Sequence, residues 1–413
     1  MSFQTYFLSN GIRVLIKPIP TSFKVCIDLL VGVGSQCDPA GKGGLAHFVE
    51  HMMFRGTRKR GYKQISIDTL KIGGYLNAFT ERDTTTYTLD VPYRQMEKAL
   101  DILLDLYLDP QFPQEDMEKE RSIIVEEIDM YNDIPGEFLM DRFMETLYAG
   151  HPFGDPILGT KQSVQNINRD DIRSFYEEWY FDSTFTVSIS GRVAPSEILP
   201  LLEAKLGGIK PTNTTRQERK PLQRKKQAVR YHRDVDQGQM LLGVPAPGLE
   251  DPDRIAIQVM NAILGGNEIS RLYQRIREDN GLAYAVDTTH EAWLGEGCFL
   301  VSVGLDHRKM AQVEEIILEE WSRMIKEPVT EEELIVARNG LEGSRIMELE
   351  GAGAYNAYMG AMAVRGLTID PEEELQKIQE VTAADVQRVA QRILDVDQYI
   401  LASLLPRKKS SRR

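Results

Sequence analysis

Cysteine is scarce, with only Cys26, Cys37 and Cys298 in 413 residues. Three scattered thiols exclude a disulfide framework, and the lack of any Cys-x-x-Cys pair excludes cysteine-held zinc. Basic residues are outnumbered, 49 Lys and Arg against 62 Asp and Glu, for a net charge of -13. Such a surface repels phosphate backbones, so no nucleic-acid partner is expected. No apolar run approaches the roughly 18 residues a spanning helix needs, and the best stretch, Val25 to Gly34, carries Asp28. No membrane partner is expected either. Met1 to Pro18 lacks the charged, apolar and small-residue succession of a secretion signal, which predicts a cytoplasmic protein.

What is present is an ordinary globular mix, 42% apolar and 27% charged, long enough for two or three domains. Strand-like segments at Tyr6–Leu8 and Ile12–Ile16 flank Asn10-Gly11, and a further strand covers Lys24 to Val33. The spacing predicts helices from Leu45 to about Phe54, Ile65 to Lys71, Tyr93 to Tyr107 and Pro113 to Tyr131, with a strand at Thr84 to Val91. The strand, helix, Pro-started helix succession recurs at Cys298–Leu305, Lys309–Ile325 and Pro328–Met347. A two-fold repeat of this length means duplicated domains rather than a solenoid. The fold class is therefore α+β: two homologous domains, each an antiparallel-rich sheet flanked by helices. The first spans 1–209, a polar linker 210–228, and the second 229–413. The Gly34 to Gly43 stretch superficially suggests a phosphate loop, but its spacing is wrong and no Ser or Thr follows Lys42.

Histidine occurs six times, yet two copies lie four apart around a glutamate, in His47-Phe48-Val49-Glu50-His51. Composition alone would produce such a triplet in roughly one chain in a hundred. On a helix, Leu45, Phe48, Val49 and Met52 form one face, and His47, Glu50 and His51 gather on the other. Two imidazoles at i and i+4 can reach one zinc ion, and a carboxylate beside them can take a proton from a zinc-activated water. A catalytic zinc usually takes a third protein ligand. On the Pro113 helix, Glu120 and Glu127 lie seven apart and point with Ile123, Ile124 and Tyr131, while Glu118, Glu126 and Asp129 project from the other side. Inward carboxylates are costly unless something pairs with them. A cation on the neighbouring helix would be that partner, which selects Glu127 over Glu126 as third ligand.

The His-x-x-Glu-His order resembles the inverzincins. Together with Gly44–Met52, Gly73–Thr80 and Glu120–Glu127, it resembles the pitrilysin/insulinase family, in its short branch akin to mitochondrial processing peptidase subunits. The resemblance covers essentially the whole chain. It implies that His47, His51 and Glu127 bind zinc, that Glu50 is the general base, and that Glu120 supports the site from behind. It implies that Asn77, Ala78 and Phe79 lie on an edge strand that pairs with substrate, and that Arg277 and Tyr284 of the second domain donate to the oxyanion. The stretch Ile255–Leu264, corresponding to the histidine helix, has no His, so one zinc per chain is expected. The family closes its two halves like a clamshell around a chamber.

The expected function is a zinc metalloendopeptidase acting on peptides or unfolded, presequence-like segments. A homodimer is expected, with a heterodimer as the variant in which another subunit supplies part of the site. The alternative is a non-catalytic scaffold or peptide-binding subunit, a fate usually marked by lost ligands, whereas all of them are present here.

Overall fold

A computed structural model describes residues 3–181, 184–212 and 225–407. The chain begins with β1 (Gln4–Phe7), β2 (Arg13–Pro18), β3 (Lys24–Val31), α1 (Leu45–Met53), α2 (Tyr62–Lys71), β4 (Tyr75–Thr80) and β5 (Thr85–Pro92). There follow α3 (Met96–Leu108), α4 (Gln114–Asp133), α5 (Pro135–Leu147), α6 (Lys161–Asn166), α7 (Arg169–Trp179), β6 (Thr186–Gly191) and α8 (Pro195–Leu206). The second half holds β7 (Gln227–Arg233), β8 (Gly238–Ala246), α9 (Arg254–Leu264), a π-helical turn at Tyr273–Glu278, β9 (Ala283–Ala292) and β10 (Gly297–Leu305). It ends with α10 (Met310–Lys326), α11 (Glu331–Leu349), α12 (Ala352–Val364), α13 (Pro371–Glu380), α14 (Ala383–Ile393) and β11 (Ile400–Pro406). No helix among the described residues is long and apolar enough to cross a membrane.

The fold is α+β with two repeated domains. One sheet has the order β1-β2-β6-β3-β5-β4 and the other β7-β11-β8-β10-β9. Each contains one parallel pair, β2 with β6 and β7 with β11, at the equivalent place, and is otherwise antiparallel. The repeat expected from the second half is thus a repeat of topology, with β10, α10 and α11 standing where β5, α3 and α4 stand in the first.

Beside the expected contiguous halves 1–209 and 229–413, the compact units exchange one segment each. The first comprises Met1–Asp129, Asp155–Glu218 and Ile346–Asp370, and the second Met130–Gly154, Arg219–Arg345 and Pro371–Arg413. The reason is the second face of each sheet. In the first unit Val25, Ile27, Leu29, Tyr87 and Leu89 fill a core with α1, α3, α7 and α8. The opposite face is covered by α12, whose Tyr355, Met359 and Ala363 pack on Leu15. Asn356 donates to the buried Asp28 carboxylate at 2.7 Å and to the Ser188 carbonyl at 3.1 Å. In the second unit α5 covers the equivalent face, with Leu139, Phe143 and Met144 against Leu241, Leu300 and Ala402. Most of the expected 210–228 linker, residues 213–224, lies outside the described residues.

Candidate metal centre

The histidine helix starts by an unusual device. Gly44 precedes α1 with φ +88°, and its amide and that of Ala46 both donate to the Asp38 carboxylate, at 2.7 and 2.8 Å. Asp38 therefore satisfies helix-start amides from six residues upstream, while burial, opposed by these backbone hydrogen bonds, pushes its carboxyl up to about 8. A Cβ on Gly44 would lie 2.4 Å from the Leu158 carbonyl oxygen. Left-handed strain and this clash add, so Gly44→Ala should lower stability by about 2 kcal/mol or more. Thermal unfolding checks this, and a melting temperature unchanged within error would contradict it.

Leu45, Phe48, Val49 and Met52 are buried, as the helical reading requires. His47 and His51 stand one turn apart with ring centroids 4.5 Å from each other. α4 supplies Glu127, whose Oε2 lies 3.4 Å from His51 Nε2 and 3.9 Å from His47 Nε2. One ligand atom from each of the three residues falls within 4.8 Å of the others. Two ligand atoms bound at about 2.1 Å around a tetrahedral zinc are themselves about 3.4 Å apart. Glu127 Oε2 is buried and has no hydrogen-bond partner among the described residues. Donor chemistry, spacing and this orphaned oxygen all fit a zinc ion.

The electrostatics agree. Burial, then the neighbouring His51, push the His47 imidazole well below its ordinary value, so it is neutral and its lone pair is free. The neighbouring His51 ring, 3.4 Å away, holds the Glu127 carboxyl below its usual range, against the opposing effect of burial. Glu50 is buried on α1 between the two histidines, and Thr80 Oγ1 donates to its Oε2 at 2.5 Å. Burial nevertheless raises the Glu50 carboxyl above the usual range, although Thr80 and His51 pull it down. That is the direction a group needs if it is to take up and return a proton near neutrality.

Glu120 lies deeper on α4 than Glu127, with its side chain 3% exposed. Its Oε2 is 2.9 Å from His51 Nδ1, and its Oε1 meets the Arg55 guanidinium. The carboxylate can only accept, so Nδ1 carries the proton and Nε2 is left to face Glu127. Arg55 stacks over the Tyr62 ring, 4.5 Å from its centroid, and cannot readily swing away. Glu120→Gln should therefore weaken zinc binding by roughly 10–100-fold without removing a ligand. Competition against a fluorescent chelator measures this, and an unchanged affinity would contradict the role.

The expectation for α4 needs one correction. Ile123 and Tyr131, expected inside with Ile124, are exposed. The buried stripe is Met117, Glu120, Ile124 and Ile128. The inward face is therefore turned so that Glu120 sits at its centre and Glu127 at its flank. Both still face α1, and Glu126 is exposed.

Asn77, Ala78 and Phe79 lie on β4, at the edge of the sheet, paired on one side with Thr88, Tyr87 and Thr86 of β5. Among the described residues no strand pairs with the other side of β4. In the second unit, Arg277 sits in the π-helical turn with its guanidinium 4.9 Å over the Tyr273 ring, and Tyr284 is half exposed on β9, an edge strand. π-Helical turns recur at functional sites. Sequence reasoning missed Asp38, Arg55 and Thr80. Only Arg55 left a signal, a cation four residues beyond His51, and the structure places it in the turn just after α1.

Two family models match the chain, "Insulinase (Peptidase family M16)" over residues 13–161 and "Peptidase M16 inactive domain" over residues 166–341. An uncharacterized zinc protease of Bacillus subtilis is 30% identical, over 97% of this chain and 98% of its own length. Another from Mycobacterium leprae is 32% identical, over 94% and 88%. The crystal structure of a peptidase M16 inactive domain from Pseudomonas fluorescens shares the fold, with a TM-score of 0.91 at 19% identity over 99% of this chain and 98% of that one. The "inactive" description falls on the half in which α9, the counterpart of α1, carries no histidine. With relatives named zinc proteases matched along almost their whole length, the chain belongs to the insulinase family, peptidase family M16.

Proposed function

We propose that the chain is a zinc-dependent metalloendopeptidase that hydrolyses peptides or unfolded, presequence-like segments. The observation that carries this reading is the convergence of His47, His51 and Glu127 beside a buried Glu50. A zinc ion held by these three residues would supply polarisation of a scissile carbonyl and a water of lowered pKa. Glu50 would take the proton of the attacking water and pass it to the departing amine, the exchange for which its raised pKa suits it. Glu120, braced by Arg55, would keep His51 in the binding tautomer. The unpaired side of β4 around Asn77, Ala78 and Phe79 would take an extended peptide as an added strand. Arg277 and Tyr284 would donate to the developing oxyanion, a role for which a guanidinium and a phenol are suited.

The test is cleavage of a mixed peptide library read by mass spectrometry. Internal cleavage should appear with zinc, vanish with a chelator and return on adding zinc back. With a net charge of -13, basic segments should be preferred. A zinc-loaded protein that cuts nothing would favour the peptide-binding scaffold. Preference for acidic peptides would remove the charge argument.

A further inference from the structure

The turn between β4 and β5 is held more firmly than its position at a sheet edge requires. The amides of Ser35 and Gln36 donate to the Glu81 and Arg82 carbonyls, at 3.1 and 2.9 Å. Gly34 lies so close that a Cβ there would stand 2.2 Å from the Glu81 oxygen. Asp83 is buried in this turn. Its carboxylate is met by Arg365, which follows α12 and comes from the far end of the chain. Arg365 Nε and Nη2 donate to the two Asp83 oxygens at 2.8 and 2.5 Å, and Nη2 also reaches Glu81 Oε2 at 2.7 Å. The Arg365 side chain is 6% exposed, and its Nη1 donates to the Ala361 carbonyl at 3.1 Å, so the guanidinium is fixed from its own helix.

The residue before this turn is Thr80, whose hydroxyl holds the Glu50 carboxylate at 2.5 Å. One peptide unit separates that bond from the Glu81 contact. Fixing the backbone at Glu81 and Asp83 fixes the direction in which Thr80 points.

We propose that Arg365 is a positioning residue for the reaction: by clamping the Glu81–Thr84 turn it aims Thr80, and through Thr80 it holds Glu50 in place to take the proton. The proposal rests on the peptidase reading of the site. The bland rival is that Arg365 merely fastens α12 to the sheet. α12 is already fastened by Asn356 on Asp28 and Ser188, and by Tyr355, Met359 and Ala363 on Leu15. The two roles therefore separate.

Arg365→Lys keeps the charge beside Asp83 and loses the two-pronged geometry. It should lower kcat by roughly 10–100-fold, the scale set by a displacement of about 1 Å at a reacting group. KM and zinc affinity should stay within threefold of wild type. Thr80→Val should cause a similar loss of kcat, and the double variant should lose no more than the worse single one, because both act through one linkage. Met359→Ala loosens α12 without touching the turn and should leave kcat unchanged. Wild-type kcat in Arg365→Lys, additive losses in the double variant, or an equal loss in Met359→Ala would each overturn the proposal. If Arg365→Lys does not fold, Glu81→Gln decides, since it weakens the Arg365 and Thr84 contacts to Glu81 Oε2 and leaves the Asp83 pair. A kcat loss non-additive with Thr80→Val supports the clamp, and none overturns it. If wild type shows no zinc-dependent cleavage, the peptidase reading fails on its own, and amide hydrogen exchange judges the clamp. The Thr80–Thr84 amides should exchange at least tenfold faster in Arg365→Lys (Glu81→Gln standing in where that variant does not fold), with α12 unchanged. Unaltered protection there would overturn the clamp.

Discussion

Glu50→Gln should bind zinc as wild type does and lose peptide hydrolysis by about 10²–10⁴-fold in kcat. The reasoning is geometric. Glutamine has nearly the shape of glutamate, so the buried pocket on α1 is refilled without a cavity. Thr80 Oγ1 can still donate to the amide oxygen that replaces Glu50 Oε2. His47, His51 and Glu127 are untouched, and the pocket loses a charge that burial already disfavours. Stability should therefore hold or rise slightly. The amide cannot accept the proton of the attacking water, and that is the only function removed. Single-turnover cleavage together with zinc content by mass spectrometry reads both quantities. Hydrolysis within tenfold of wild type would remove Glu50 from the proton path. Loss of zinc along with activity would show it to be part of the binding site instead.

The second large effect belongs to Glu127. It is the one anionic member of the proposed trio, whose other two members would bind as neutral imidazoles, and so it would carry most of the charge compensation of a divalent cation. Glu127→Gln should weaken zinc binding by more than the roughly 10–100-fold expected for a supporting group. Activity should be absent at ordinary zinc levels, and zinc should no longer raise the melting temperature as a ligand of the native state does. Glu126→Gln is the matched control. It changes the same chemistry one residue away, on an exposed position. It should leave zinc binding and activity near wild type. Zinc loss in the Glu126 variant with retention in the Glu127 variant would mean that α4 is out of phase by one residue and that the third ligand is misassigned.

The contrast between these two glutamates shows how much the sequence makes legible. Period and charge suffice to place His47, Glu50 and His51 on one helical face and to prefer Glu127 to Glu126. They do so although Ile123 and Tyr131 were expected inside and are exposed. Selection among neighbouring carboxylates survives a phase error of this size because it depends on which side faces α1, not on the exact centre of the stripe. The duplicated topology was legible for a similar reason, since strand and helix spacings recur locally. Other features are set by contacts remote in the chain. Asp38 caps a helix it does not adjoin, Thr80 meets Glu50 across 30 residues, and Arg365 meets Asp83 across 282. The passage of α12 onto the first sheet belongs to the same class. α12 is apolar nearly all round, which signals burial but does not say against what.

That passage has a consequence in time. The ribosome completes Glu127 about 240 residues before it reaches Arg365, a delay on the order of 10–50 s at about 5–20 residues per second. Through that interval Leu15, Cys26, Asp28 and Leu30 have no α12 over them. The residues proposed to hold zinc are thus made early, while the proposed clamp that aims Thr80 at Glu50 is delivered near the end of synthesis. On the peptidase reading, an emerging chain with this clamp would stay blunt until Arg365 is made, and the polypeptide still leaving the ribosome, itself an unfolded segment, would be spared.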